Sequence, residues 1–284
     1  MKKILKLIGL LSFIIITFFY TDKVMHVIRE EDIIMIEINQ IKDSLKKEPI
    51  NAQIKNDEII PGMNGKEVNI EKSYKAMKSN GIFRKEEIIY NTIYPKINIT
   101  NNKDKYIVSG NSKKQAISLI FILNNKKYIE KLEKVLETKN IKVNYFVDNN
   151  FLVLNSTMIK NMSNREFYNY GDNGTYTPDN ILFSNNLISR ISNNKSNICL
   201  TQIKKESTID ICSKNNLYTI LPNIIVEKNP YITIKNKMKV GDMIVLNITQ
   251  ETITELPIII DYIEGKGIKI VGLKDLLSEE IKEK

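Results

Sequence analysis

The side chains that do most enzyme chemistry are scarce in this chain. Its one histidine, His26, follows an apolar N-terminal run and lies outside the segments that look globular. Imidazole is the commonest metal ligand and the side chain whose ordinary pKa suits proton transfer near neutrality. A histidine-based metal centre or acid–base pair is therefore excluded from the rest of the chain. His26 has no partner in sequence, and no role is assigned to it. The two cysteines, Cys199 and Cys212, lack a histidine to activate a thiolate, which argues against a cysteine nucleophile. They are compatible with a disulfide and equally with two unpaired buried thiols.

The net charge of +9 does not come from a basic run. Lysines and glutamates interleave, as over residues 126–139, and no nucleic-acid motif accompanies them, so nucleic acid is not an expected partner. A dispersed basic surface suits anionic lipid or an acidic cell-wall polymer instead.

Among the elements that must position any site, the first is an apolar run over residues 7–20, preceded by Lys2, Lys3 and Lys6. No small-residue cleavage site follows it, so the sequence predicts an uncleaved signal-anchor. Residues 1–21 would form the cytoplasmic tip and a single membrane span, with everything after them outside the cytoplasm by the positive-inside rule. Val24, Ile28, Ile34, Ile38, Ile41 and Leu45 make one helical stripe, which predicts a stalk over residues 22–48 that ends at Pro49.

Residues 49–112 read as a strand- and turn-rich extension packing on the domain that follows. Residues 50–54 and 58–60 flank an Asn-Asp turn, and residues 69–79 form a helix with Gly81 at its exit. Beyond residue 113 the pattern alternates. Strand-like runs at 116–121, 143–147, 167–170, 198–200, 217–220, 243–246 and 268–271 are separated by helical patterns at 127–139, 178–191 and 252–264, and residues 273–282 close the chain. Strands alternating with helices imply a parallel α/β sheet buried on both faces. Seven units suit a barrel, in which chemistry sits at the carboxyl ends of the strands.

These segments carry a resemblance. Gly241 to Asn247, a helix containing Leu256-Pro257, then Gly265-Lys266-Gly267 and residues 268–277 resemble the closing segment of the NodB-homology polysaccharide deacetylases, carbohydrate esterase family 4. Residues 116–121 and Val143-Asn144-Tyr145-Phe146-Val147 resemble that family's first two strands. The resemblance covers residues 113–284 and implies a distorted (β/α)7 barrel. Residues 58–110 look like the segment preceding the barrel in some membrane-anchored members. Family members remove acetyl groups from glycans using a metal-activated water, a base and an acid.

None of those parts stands at the matching positions. Where the family has Thr-Phe-Asp-Asp-Gly, with a base and a metal ligand, this chain has Ile120-Phe121-Ile122-Leu123-Asn124. Tyr170 and Gly174 take the places of two metal-binding histidines. The Arg-x-Pro-x-Gly loop has no counterpart near Cys199-Leu200-Thr201-Gln202. Asn247 replaces the acid histidine, and an amide has no pKa usable for that task. The resemblance thus implies no catalytic residue, no metal and no cofactor. Asn124, Asn125, Asn169, Tyr170 and Asn247 would instead line a neutral, hydrogen-bonding groove. The expectation is a catalytically inactive, membrane-anchored deacetylase-like protein of a bacterial cell envelope that binds cell-wall glycan or scaffolds an envelope protein. The alternative is a divergent hydrolase using carboxylates such as Asp148 and Asp172, which two-carboxylate chemistry would permit.

Overall fold

The computed structural model describes residues 11–20, 32–162, 165–192 and 195–280. His26, along with residues 1–10 and 21–31 of the expected anchor and stalk, lies outside the described residues. Residues 11–20 are helical (α1) with apolar side chains exposed. Among the described residues no helix is long and apolar enough to cross a membrane.

In chain order the next elements are α2 (Ile33–Leu45), the hairpin of β1 (Gln53–Lys55) and β2 (Glu58–Ile60), β3 (Gly65–Val68), α3 (Ile70–Lys78), β4 (Tyr90–Ile93) and β5 (Tyr106–Ile107). The chain divides into two compact units, one of residues 1–49 and 64–94, the other of residues 50–63 and 95–284. These boundaries depart from the expected divisions at 22–48, 49–112 and 113–284. The reason is the destination of each strand: β3 and β4 pair with each other, whereas β2 and β5 join the large sheet system.

In the first unit, the stripe of α2 (Ile34, Met35, Ile38) meets Tyr74 and Met77 of α3 and Val68 of β3 in a small core. Asp32 caps α2 by accepting from the Ile34 N–H at 3.0 Å. Its other oxygen accepts from the Tyr74 hydroxyl at 3.1 Å and pairs with Lys78, so one carboxylate ties the start of α2 to α3. The Asn69 side chain caps α3 in the same way, accepting from the Lys72 N–H.

The second unit continues with β6 (Ala116–Leu123), α4 (Ile129–Thr138), β7 (Asn144–Val147), α5 (Asn149–Leu154), α6 (Ser156–Asn161), β8 (Glu166–Asn169), α7 (Pro178–Ser192), β9 (Ile198–Leu200) and α8 (Glu206–Lys214). Then follow β10 (Tyr218–Ile220), β11 (Ile224–Val226), α9 (Pro230–Lys237), β12 (Met243–Leu246), α10 (Gln250–Gly265), β13 (Lys269–Ile270) and α11 (Leu273–Leu277). One sheet runs β11-β12-β6-β7-β8, all parallel, with β13 beside the first residues of β6. The other runs β1-β2-β5-β10-β9, parallel except for the β1–β2 hairpin.

The parallel α/β architecture matches the sequence expectation, but the strands form two sheets rather than one ring of seven. The break falls between β8 and β9, where side chains replace a backbone ladder. The Asn169 N–H donates to Ser196 Oγ at 2.8 Å. The buried Tyr176 hydroxyl lies 3.1 Å from the Asn169 carbonyl and 3.2 Å from that of Leu200, and accepts from the Leu200 N–H at 2.9 Å. One phenol therefore stitches the two sheet edges together.

The period-two alternation of a strand buried on both faces sorts the core into two layers. Ile117, Leu119, Phe121 and Leu123 of β6 pack with Leu132, Leu136, Leu256 and Ile260 of α4 and α10. Ala116, Ile120 and Ile122 face the interior, with Phe146, Tyr168, Leu200, Ile220 and Val245. Each large apolar side chain so buried contributes roughly 1.5–3 kcal/mol. Aromatic pairs reinforce both layers, Tyr145 on Phe167 outside at 5.6 Å and Phe146 on Tyr168 inside at 5.2 Å.

Candidate functional site

The carboxyl ends of β6, β8, β9 and β12 open on a cleft of about 340 Å³. The parallel arrangement forces this convergence, because successive strands deliver their loops to the same edge. Ile122, Asn124 and Asn125 come from β6 and its loop, Tyr170 and Asn173 from the loop after β8, Gln202 from the loop after β9, and Asn247, Ile248 and Thr249 from the end of β12.

Of the residues expected in the groove, Asn124, Asn125, Tyr170 and Asn247 line this one cleft. Asn169 does not. It is 2% exposed, and its side chain accepts from the Gly171 N–H at 2.6 Å and donates to the Asn180 carbonyl at 3.3 Å. Its backbone continues β8, so its side chain points away from the loop face that Tyr170 occupies. Gln202, Asn173 and Thr249 were not among the expected lining residues. Thr249 also caps α10, accepting from the Thr252 N–H, and a threonine between an apolar strand and a helix was the signal for its position.

Around the cleft, hydrogen bonds fix the polar groups. The Asn125 amide donates to Asn124 Oδ1 at 2.8 Å and its own oxygen accepts from the Lys127 N–H. Gln202 Nε2 donates to the Tyr170 hydroxyl at 3.4 Å. Burial pushes the Tyr170 phenol above its ordinary pKa, the Asp148 charge adds to that rise, and the Gln202 donor partly opposes it. The phenol therefore stays protonated at neutral pH and serves as a donor and acceptor, not as a base.

Asp148 and Asp172 are absent from the cleft lining, and both are engaged in holding loops. Asp148 accepts from the N–H groups of Asn150 and Phe151 at the start of α5 and from the Asn173 N–H at 2.8 Å. Asp172 accepts from Asn149 Nδ2 and Asn180 Nδ2.

Of the positions that the resemblance sets against the family's machinery, three line the cleft and two do not. Ile122, Tyr170 and Asn247 face the cleft. Leu123 is wholly buried on the helix side of β6. Gly174 is held at φ +82° with the Tyr170 ring beside it. A hydrocarbon, a protonated phenol, a glycine and an amide do not make a ligand set for zinc, which prefers imidazole, thiolate or carboxylate donors. Among the described residues, no three His, Cys, Asp or Glu side chains gather into a set that could hold an ion.

Cys199 and Cys212 form a disulfide, both wholly buried, which joins the end region of β9 to α8. The loop that presents Gln202 lies inside the ring this bond closes.

No family profile matches the sequence. An uncharacterized protein of Bacillus subtilis, YlxY, is 26% identical over 275 residues, a match spanning 86% of this chain and 83% of that protein. The crystal structure of a wild-type family 4 carbohydrate esterase (CE4) pseudoenzyme from Bacillus anthracis superposes with a TM-score of 0.66 at 20% identity, covering 87% of this chain and 96% of that one. A mutant of that pseudoenzyme, described as having restored enzymatic activity, gives a TM-score of 0.67 at 19% identity over 87% and 99% of the two chains. PdaA of Bacillus subtilis, a family 4 carbohydrate esterase, gives 0.53 at 17% identity over 81% and 97%. The chain therefore has the α/β fold of the family 4 carbohydrate esterases.

Proposed function

We propose that the protein is a degenerate family 4 carbohydrate esterase that binds an uncharged glycan of a bacterial cell envelope without deacetylating it. The observation that carries this reading is the content of the cleft: amides from Asn124, Asn125, Asn173, Gln202 and Asn247 with one protonated phenol, at the strand ends where the fold's chemistry resides. Amides and hydroxyls match sugar hydroxyls as paired donors and acceptors, yet none of them can activate water. The similarity to a structure described as a pseudoenzyme supports the same view. The carboxylate alternative finds no support in the geometry, since the oxygens of Asp148 and Asp172 are engaged in loop hydrogen bonds.

Its place would be outside the cytoplasmic membrane, held by the apolar segment around residues 7–20. The disulfide supports an oxidising compartment, and the net charge of +9 suits an anionic envelope. The test is to incubate the purified protein with acetylated chitooligosaccharide and either zinc or cobalt. The expected result is retention of the glycan and no acetate release; metal-dependent deacetylation overturns the proposal.

A further inference from the structure

The interleaving of lysine with glutamate over residues 126–139 gives way, over residues 228–239, to Lys228, Lys235, Lys237 and Lys239 with no acid among them. These lysines lie on and around α9, which packs on α10. Tyr231 and Lys235 are four residues apart along α9, as are Tyr262 and Lys266 at the end of α10, a spacing that puts side chains on one helix face. The two rings meet edge to face at 5.8 Å. Each carries its own ammonium, Lys235 at 5.8 Å and Lys266 at 5.1 Å from the ring centroid. The Tyr262 hydroxyl donates to the Lys235 carbonyl at 3.3 Å. Beside the rings two apolar side chains stand in the open, Ile232 at 58% and Ile258 at 51% exposure. Among the described residues none of the five lysines is in an ion pair. Of the acids bordering this face, Glu255 accepts from the Tyr231 N–H at 2.8 Å and Asp261 pairs with Lys139 at 2.6 Å. Glu227 and Glu264 are left outnumbered.

We infer that this face of α9 and α10 lies on an anionic lipid surface. The inference rests on the membrane anchoring proposed above and adds which side of the second unit meets the bilayer. Lysine ammonium groups attract headgroup phosphates, and their stems lie along apolar surface. Tyrosine rings, apolar with a polar tip, suit the headgroup level, and exposed isoleucines reach the acyl boundary below it. A polyanion in water would engage the lysines but gains nothing from isoleucines beside the rings. The orientation follows from α10. Thr249, at its N-terminus, borders the cleft, whereas Tyr262 lies about 20 Å further along the helix axis. A membrane at the Tyr262 end leaves the cleft open on the far side.

The chain contains no tryptophan, so Ile232→Trp places a single fluorescent reporter in the full-length protein. In equimolar phosphatidylcholine–phosphatidylglycerol vesicles with brominated acyl chains its emission should be quenched, and in brominated phosphatidylcholine alone it should not. Leu182→Trp, at an exposed position on α7, should stay unquenched in both. Adding Lys235→Gln, Lys237→Gln and Lys266→Gln to Ile232→Trp should shift the contact equilibrium by about fivefold per lysine and abolish the quenching, while the protein still floats with the vesicles. Flotation without quenching at position 232, equal quenching at 232 and 182, or quenching indifferent to phosphatidylglycerol overturns the lipid face and leaves the anchor standing. An emission shift at position 232 driven by soluble polyphosphate or by protein concentration, without quenching in vesicles, also overturns it and gives the face to a polyanion or a second copy. Failure to float with either vesicle overturns anchor and face together.

Discussion

The hydroxyl of Tyr170 lies 3.1 Å from the point where a β-carbon on Gly174 would stand, and Gly174 holds a φ of +82° that L side chains rarely adopt. Two positions that the resemblance sets against metal-binding histidines are thus occupied by an interlocked pair, one large and one with no side chain at all. Each residue type depends on the other.

That dependence is measurable. Gly174→Ala should destabilise the protein by about 1–2 kcal/mol from backbone conformation alone, with a further contribution from the Tyr170 ring. In a double-mutant cycle with Tyr170→Ala, followed by urea unfolding, the second contribution should vanish and leave a coupling of about 0.5 kcal/mol or more. Strict additivity would show that the two side chains do not share the space.

Reinstalling the chemistry should require several changes at once. Asn247→His alone, or Tyr170→His with Gly174→His, should release no acetate in the presence of zinc or cobalt, since Ile122 still supplies no base. Leu123→Asp is expected to be the most damaging single step. Leu123 is wholly buried against the helix layer, and an unpaired carboxylate there should cost about 3–5 kcal/mol. Thermal melts of the single variants, with acetate assays on the combinations, check both statements.

Tyr176→Phe keeps the ring and removes the bridge between β8 and β9. It leaves the Leu200 N–H without the acceptor it has at 2.9 Å, a loss of about 1–3 kcal/mol. Burial raises the phenol pKa of Tyr176, and likewise those of Tyr145, Tyr168 and Tyr170. Above about pH 10 an unfolded tyrosine releases its proton while these keep theirs, so the folded state then binds more protons than the unfolded one. Stability should therefore be insensitive to these groups below about pH 10 and fall as pH rises beyond it. Denaturant midpoints across that range should show the fall, with a shallower slope in Tyr176→Phe.

Reduction of the Cys199–Cys212 bond, or Cys212→Ala with Cys199→Ala, should cost about 3 kcal/mol for a ring of this size. Because Gln202 lies within that ring, glycan affinity should weaken along with stability. A loss of stability with affinity unchanged would show that the loop is held by other contacts.

Much of this architecture was legible in the sequence, and the failures have physical causes. The runs at β6, β7 and β12 stood out because strands buried on both faces read as continuous apolar stretches. The three-residue β11 did not, since Pro222-Asn223 before it reads as a turn and a short apolar run fits several structures. Helices α8 and α9 were missed because Ser207-Thr208-Ile209 and Tyr231-Ile232-Thr233-Ile234 are rich in residues that favour strands, and packing overrode that preference. Within the site, the lack of any histidine beyond residue 26 could be read from composition alone. Asn169 was misplaced because sequence adjacency to Tyr170 does not reveal which side of a strand an amide faces. Gln202 stood in a segment compared with the family only for what it lacked.

The division of the chain carries a consequence for how the protein can be cut. The backbone passes between the two units after residues 49, 63 and 94, so no single break separates one intact unit from the other. A truncation at residue 112, where the resemblance to the deacetylases begins, would strip β1, β2 and β5 from their sheet and bare the edge of β10. Gene shuffling that moves the barrel region alone would deliver an adhesive fragment. A cut at residue 112 therefore leaves the second unit incomplete.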